Sequence, residues 1–326
     1  IPYTLEQVKN GYDYIIRGEC LMKKSQKTLS LVLFSVLFLF ILSFASFAGT
    51  WKQDSKGYWY ENDDGSYPKS TWMWIPGKDP HIAYCYYFDE NGYCLLNRKS
   101  PDGYQLSPSG EWLIDRVNLP ATKIVNTGNV NANVLPHMAN MLYYAVEDSS
   151  EESEPKQFSF NITKNPMDVT SFVHVVTVLS SPYYVSDYFP NFSAKYLKQV
   201  NRNPGTIAIA LKKNEFQKVA NDLFGIEDIG ATWDYVIKGG KGSLYDLVDS
   251  NTGIFGVGDF GSEDSYYIAD SVSVNQGIYT VKGRFAFVPI EDDEPIRKYF
   301  YTIVAQENPE SDFGHLTVIS LDVDRQ

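Results

Sequence analysis

The chain is short of cysteine, histidine and positive charge. With 3 Cys and 4 His in 326 residues, few soft ligands are available. No His-Glu-x-x-His and no second ligand pair for a zinc site occurs. There are 28 Lys and Arg against 40 Asp and Glu, a net charge of -12. A surface this acidic argues against nucleic acid or an anionic membrane as partner, since both need clustered Lys and Arg. Gly-x-Ser-x-Gly is absent, and Gly239-Gly240-Lys241-Gly242-Ser243 lacks phosphate-loop spacing and reads as a turn. The acidic stretch Asp249 to Asp264 lacks the alternating oxygens and terminal Glu of an EF-hand, so it reads as a hairpin loop. His137, His174 and His315 are far apart in sequence. His174 reads as a packed strand residue and His315, after Gly314, as a turn residue. Glycoside hydrolysis needs two carboxylates in one cleft, and no pair stands out among so many acids. The expectation is no catalytic residue, no metal and no cofactor.

One long apolar run is present. Leu29 to Phe44 follows Met22, Lys23, Lys24 and Lys27, and precedes the small-x-small sequence Ser46-Phe47-Ala48. This pattern predicts a signal peptide at residues 22–48, cleaved before Gly49. A retained anchor is the alternative, because the run approaches the ~18 to 20 residues that cross a bilayer. Residues 1–21 precede the positive region where secretory signals begin, and are expected to be an untranslated leader or non-native extension. Without residues 1–48, five basic and three acidic residues are gone and the net charge is about -14. The expected location is outside the cell, secreted and held at the cell wall or surface.

Aromatics are abundant, at 15% of the chain. Between Gly49 and Leu95 they fall into two imperfect copies of one pattern. The first reads Gly49-Thr50-Trp51, Gly57-Tyr58-Trp59-Tyr60, Gly65-Ser66-Tyr67. The second reads Trp72-Met73-Trp74, Tyr84-Cys85-Tyr86-Tyr87-Phe88, Asn91-Gly92-Tyr93. Aromatic clusters alternating with Gly, Asp and Asn spell short hairpins joined by tight turns. Such a hairpin cannot bury its own rings, so copies stack or leave rings exposed. Cys85 and Cys94 fall in the second copy. A turn centred on Glu90-Asn91 puts Cys94 opposite Tyr87 and Cys85 on the diagonal, ~7 to 8 Å away and out of disulfide reach. A turn slipped by one residue pair would alter that.

These residues resemble the cell-wall-binding repeats of the choline-binding family, whose pattern is Gly-Trp, a spacer, Gly-x-Trp-Tyr-Tyr and Gly. The resemblance covers residues 49–112, closing with Asp102-Gly103-Tyr104 and Gly110-Glu111-Trp112. Thr50 separates Gly from Trp here, and Trp59-Tyr60-Glu61 replaces Trp-Tyr-Tyr. The resemblance implies a β-solenoid-like module whose aromatic cages hold choline on teichoic acid. Carried over, the ligand-binding residues are Trp51, Trp59 and Tyr60 of the first copy and Trp72, Trp74, Tyr86 and Tyr87 of the second. A cation over such rings gains up to ~2 kcal/mol once desolvated. The plain alternatives are that the rings pack one hairpin onto the next, or stack on cell-wall glycan.

Residues 120–326 change composition and are long enough for a core of their own. Helices are expected at Met138 to Val146 and at Lys212 to Phe224, the latter ended by Gly225. Phe172 to Val178 reads as a buried strand. Thr206 to Leu211, Ser265 to Ala269, Gly277 to Val288, Lys298 to Gln306 and Leu316 to Val323 read as further strands. Asp148 to Pro155 reads as a solvated loop. The fold class is therefore α+β: a β-hairpin repeat module, then an antiparallel sheet packed with one or two helices, in the manner of cystatin or nuclear-transport-factor folds. The series Phe216-x-x-Val219-x-x-x-Leu223-Phe224-Gly225, Gly277-x-Tyr279-x-Val281-x-Gly283 and Asn308-Pro309-x-Ser311-x-Phe313-Gly314 is similar to uncharacterised domains of exported clostridial proteins. The expected function is a cell-surface protein tethered non-covalently to the envelope, with a C-terminal interaction domain for an unknown protein partner. A wall- or polysaccharide-acting hydrolase and a structural self-association module are the alternatives.

Overall fold

Two antiparallel hairpins open the described chain of this computed structural model, which describes residues 49–149, 157–164, 169–179, 195–198, 207–238, 244–256, 263–289 and 296–325. The expected leader and signal peptide, the glycine-rich stretch 239–243 and most of the acidic run 148–155 lie outside the described residues. β1 (Thr50–Gln53) pairs with β2 (Tyr58–Glu61), and β3 (Thr71–Pro76) pairs with β4 (Ile82–Phe88). The chain divides into two compact units, the first built on β1 and β2 and ending at Tyr67, the second running on from Pro68 and including Ser55–Gly57 of the β1–β2 turn.

One turn recurs four times. At residues 62–66, 89–93, 100–104 and 107–111, the glycine N–H bonds the carbonyl three residues back, at 2.9 to 3.0 Å. The first residue of each turn then donates its N–H to the carbonyl of the fifth, at 2.8 to 2.9 Å. Gly65, Gly92, Gly103 and Gly110 have φ of 78°, 89°, 96° and 100°. Only glycine adopts that conformation without strain, which is why glycine marks every copy. The first two turns belong to the two aromatic copies already recognised. The last two extend the same design to Trp112, although residues 89–112 pair through isolated bridges rather than regular strands.

β5 (Leu113–Ile114) and β6 (Leu119–Pro120) form a two-stranded ribbon, and β7 (Thr122–Ile124) pairs with β4. Beyond lies a mixed α+β body with four helices among the described residues, where one or two were expected. α1 (Val134–Ser149) precedes β8 (Gln157–Asn161), α2 (Val169–Leu179) and β9 (Lys195–Lys198). Then come β10 (Ile207–Lys212), α3 (Lys213–Phe224), α4 (Gly230–Ile237), β11 (Leu244–Asp249) and β12 (Thr252–Gly256). Four long strands close the chain: β13 (Glu263–Asn275), β14 (Ile278–Pro289), β15 (Arg297–Glu307) and β16 (Leu316–Arg325). The antiparallel sheets run β13-β14-β15-β16-β8 and β11-β12-β10-β9.

The core lies between α1 and the five-stranded sheet. Leu135, Met138, Ala139 and Leu142 of α1 are buried, and Tyr143 meets Phe285, Phe287 and Tyr299 at 4.7 to 6.3 Å. α3 is amphipathic and ends at Gly225, in the left-handed conformation with φ 67°. The Gly225 N–H bonds the Asn221 carbonyl at 2.8 Å, the bond of a left-handed C-terminal ending, and the Ile226 N–H bonds the Ala220 carbonyl at 3.3 Å.

The stretch expected as a strand at Phe172 to Val178 is helical instead, as α2. Ser171 through Thr177 are all buried, and α2 packs against α1 and α3. A helix covered on every side carries no apolar stripe, so its β-branched run is indistinguishable from a buried strand. The Thr177 hydroxyl satisfies itself by donating to the Val173 carbonyl one turn back, at 2.7 Å. α4 was not anticipated. Eight residues give too few turns for a periodic signal, and its anchor is Trp233, buried with its indole N–H bonded to the Ser250 carbonyl at 3.1 Å.

The second hairpin is fastened to the five-stranded sheet. β13 is an outer strand, bulged at Asp270. The Ala269 N–H beside the bulge donates to Thr122 Oγ1 at 3.0 Å, and the Val272 N–H to the Asp79 carboxylate at 3.0 Å. Val117 joins Ala286 and Val288 in a small apolar cluster, and the Arg116 guanidinium donates to the Pro289 carbonyl at 2.7 Å. An outer strand with bare N–H groups invites unwanted pairing, and this arrangement caps it.

Candidate functional site

Strand alternation sorts the seven expected ligand-binding residues. In the first hairpin, Trp51 lies opposite Tyr60 and Trp59 opposite Lys52. Trp51 and Tyr60 therefore share a face, ring against ring at 5.5 Å and 72°, while Trp59 points to the other face. Tyr60 is buried and Trp51 is exposed. Burial, then the charge of Asp63, raises the Tyr60 hydroxyl pKa above its ordinary value.

In the second hairpin, Trp72 lies opposite Tyr87 and Trp74 opposite Cys85, so Trp72, Trp74 and Tyr87 share one face. Tyr86 lies opposite Met73, on the reverse face, and is buried. Burial pushes its hydroxyl well up, and the Glu111 carboxylate adds to the effect. Tyr86 and Tyr87 thus do different things: one is core, the other lies half-buried on the aromatic face.

Two rings named in the sequence only as the closing of the repeat complete a cluster around Trp72. Its ring meets Tyr87 at 5.2 Å and 74°, Tyr104 at 5.9 Å and 78°, and Trp112 at 6.1 Å and 57°. Tyr104 and Trp112 meet each other at 5.4 Å and 69°. Tyr104 is carried in by the turn at residues 100–104. Trp112 is brought alongside β4 by its N–H, which bonds the Cys85 carbonyl at 2.8 Å. Trp72, Tyr87 and Trp112 are half-buried, and Tyr104 is 43% exposed. The only signal for these two rings was the turn pattern itself, Asp-Gly-Tyr and Gly-Glu-Trp. Steeply inclined rings 5 to 6 Å apart are stable edge-to-face pairs. They also form a corner, where a cation or apolar group within ~6 Å of one centroid reaches a second. Trp74, 37% exposed, extends the aromatic face along β3.

Cys85 and Cys94 are both buried and free. The turn is set one residue from the simplest expectation, so Cys94 bridges Phe88 and not Tyr87. Burial pushes the Cys85 thiol to about 11. Burial, with the Glu111 charge second, pushes Cys94 to about 12. Both are inert thiols packed as small apolar groups. Among the described residues, no three His, Cys, Asp or Glu side chains gather as a metal site. No helix among them is long and apolar enough to cross a membrane.

No family model matches the chain. Over 30 residues, 9% of its length, it is 57% identical to the lysozyme of Streptococcus phage Cp-1, and equally to that of Streptococcus phage Cp-9. The chain spans 9% of the length of these curated relatives. Among solved structures, the modular Cpl-1 endolysin complexed with a peptidoglycan analogue is 34% identical over 24% of this chain and 23% of its own, with a TM-score of 0.18. The pneumococcal cell wall endolysin from phage Cp-1 complexed with choline is 20% identical over 26% of this chain and 34% of its own, with a TM-score of 0.11.

Proposed function

We propose that this protein is a secreted, wall-attached binding protein whose Trp72 corner holds a choline-type head group of teichoic acid. The observation that carries the reading is the convergence of Trp72, Tyr87, Tyr104 and Trp112 on one half-exposed face. The local 57% identity to phage lysozymes supports a wall component as ligand. Residues 49–112 act as the tether, with the four recurring turns along it. Trp51 and Tyr60 form a smaller ring pair on the first hairpin. The C-terminal α+β body is the cargo, presented to an unknown protein partner outside the cell. Export rests on the signal-peptide pattern at residues 22–48.

The test is retention of the chain on a choline matrix, with free choline as competitor, for wild type and Trp72→Ala. Retention that competes away and is lost in Trp72→Ala is the expected result. Wild type that passes straight through refutes choline as the ligand.

A second reading, a wall-acting hydrolase, is favoured by one observation: the matched relatives are lysozymes. It predicts release of reducing sugar or muropeptides from purified walls, and walls left intact would dismiss it.

A further inference from the structure

The turn at residues 100–104 delivers a carboxylate to the corner as well as a ring. Asp102 Oδ2 accepts the Trp72 indole N–H at 2.9 Å, across 30 residues of sequence. Its other oxygen accepts the Ser100 hydroxyl at 2.6 Å, and the same hydroxyl accepts the Tyr104 N–H at 3.0 Å. Asp64, at the same position of the first turn, is spent within its own turn, on the Ser66 hydroxyl and N–H. Asp102 instead reaches out to the ring at the centre of the cluster.

An indole N–H lies in the plane of its ring. A carboxylate bonded to it therefore sits at the ring's edge and does not itself cover the π face. Two consequences follow from that placement. The bond fixes the rotation of Trp72, and with it the angles to Tyr87, Tyr104 and Trp112. A negative charge on the N–H also pushes electron density into the indole, strengthening the ring face toward a cation.

We propose that Asp102 is a positioning and charge-selecting residue of the Trp72 corner, making the site prefer a quaternary ammonium over a neutral ligand of the same shape. This rests on the ligand reading given above. A sugar face or an uncharged head group would gain from the orientation of Trp72 but not from the charge. Asp102 remains ionised at neutral pH, because the Ser100 hydroxyl first, and the Trp72 N–H second, hold its carboxyl below the usual range.

The test compares binding of choline chloride and of its uncharged isostere, 3,3-dimethylbutan-1-ol, to the full chain by calorimetry. Wild type, Asp102→Asn, Asp102→Ala and Asp102→Glu are measured. Asn keeps an oxygen to accept the indole N–H but carries no charge. The expected result is a fall of about threefold in the choline-to-isostere affinity ratio in Asp102→Asn, the scale of an exposed charge interaction. Asp102→Ala lowers both affinities as Trp72 loosens, and Asp102→Glu recovers part of the ratio. An Asp102→Asn ratio equal to that of wild type overturns the proposal while leaving choline binding intact. Wild type that binds neither probe overturns the ligand reading and this proposal with it.

Discussion

Gly283→Ala should be among the most damaging single-methyl additions in the protein. Gly283 lies in β14 opposite the bulge in β13, paired with Ala269 on one side and Tyr301 on the other. A methyl there would overlap the Ile268 carbonyl oxygen and meet the Tyr301 hydroxyl at 2.6 Å and Tyr301 Cζ at 2.7 Å. The Tyr301 ring crosses over the glycine so that its buried hydroxyl can donate to that same Ile268 carbonyl, at 3.0 Å. Accommodating the methyl means moving backbone by about 1 Å, and overpacking of that kind costs about 1 to 3 kcal/mol. Loss of the buried hydrogen bond adds about 1 to 3 kcal/mol. A total near 3 kcal/mol corresponds to a fall of about 6 to 12 °C in Tm for a body of this size. Near-UV circular dichroism during heating is the assay, because it follows the fixed packing of the aromatic side chains, the Tyr143, Phe285 and Tyr299 stack among them. Tyr301→Phe removes only the hydrogen bond, and should cost about 1 to 2 kcal/mol. The double variant should lose at least ~0.5 kcal/mol less than the sum, since removing the hydroxyl removes part of the clash. A Gly283→Ala protein melting within about 1 °C of wild type would refute this account of the glycine.

Three further outcomes follow from features already described. Lys218 bridges Asp222 and Asp312 at 2.7 Å each, and the Asp222 side chain is only 7% exposed. Lys218→Met strands that carboxylate; because Lys218 itself is half-exposed and screened, the loss should be about 1 to 2 kcal/mol in a urea unfolding midpoint. The thiols of Cys85 and Cys94 should resist a disulfide reagent at pH 8 in the native protein and react freely in denaturant, since burial holds them at about 11 and about 12. These raised values also fix a sign: above pH ~8.5 the unfolded chain loses thiol protons that the native state keeps. Stability therefore falls as pH rises through the interval up to about 11 for Cys85 and about 12 for Cys94. Asp79→Ala should bare the Val272 N–H and speed amide exchange there and at Ala269, leaving exchange in β15 unchanged when measured by hydrogen–deuterium mass spectrometry.

What the sequence discloses tracks how locally each feature is encoded. α3 is legible because one side of it faces water and Gly225 ends it. β14 to β16 are legible within a residue or two because inner and outer residues alternate along them. α2 is hidden by its own complete burial. At the site, the aromatic copies declare the hairpins, and Trp72 and Tyr87 come together as a pair across β3 and β4. Separating Tyr86 from Tyr87 needs the register, which a shift of one residue in the turn reverses. Tyr104, Trp112 and Asp102 arrive from 14 or more residues beyond β4, through turns whose glycines are visible but whose destinations are not.

The bonds from Thr122 and Asp79 to the β13 edge bear on how such a chain can be recombined. A cut near residue 112, where the composition changes, would take Asp79 from the Val272 N–H and β4 from β7, the strand whose Thr122 covers the Ala269 N–H, and so loosen the cap on the β13 edge. The second hairpin is thus no exchangeable cassette; it travels with the sheet. The seam at Tyr67 and Pro68 is different, because the chain passes there from one compact unit to the next. Copies inserted at that seam would add aromatic hairpins ahead of Pro68 and leave the bonds of Thr122 and Asp79 to the bulged edge in place.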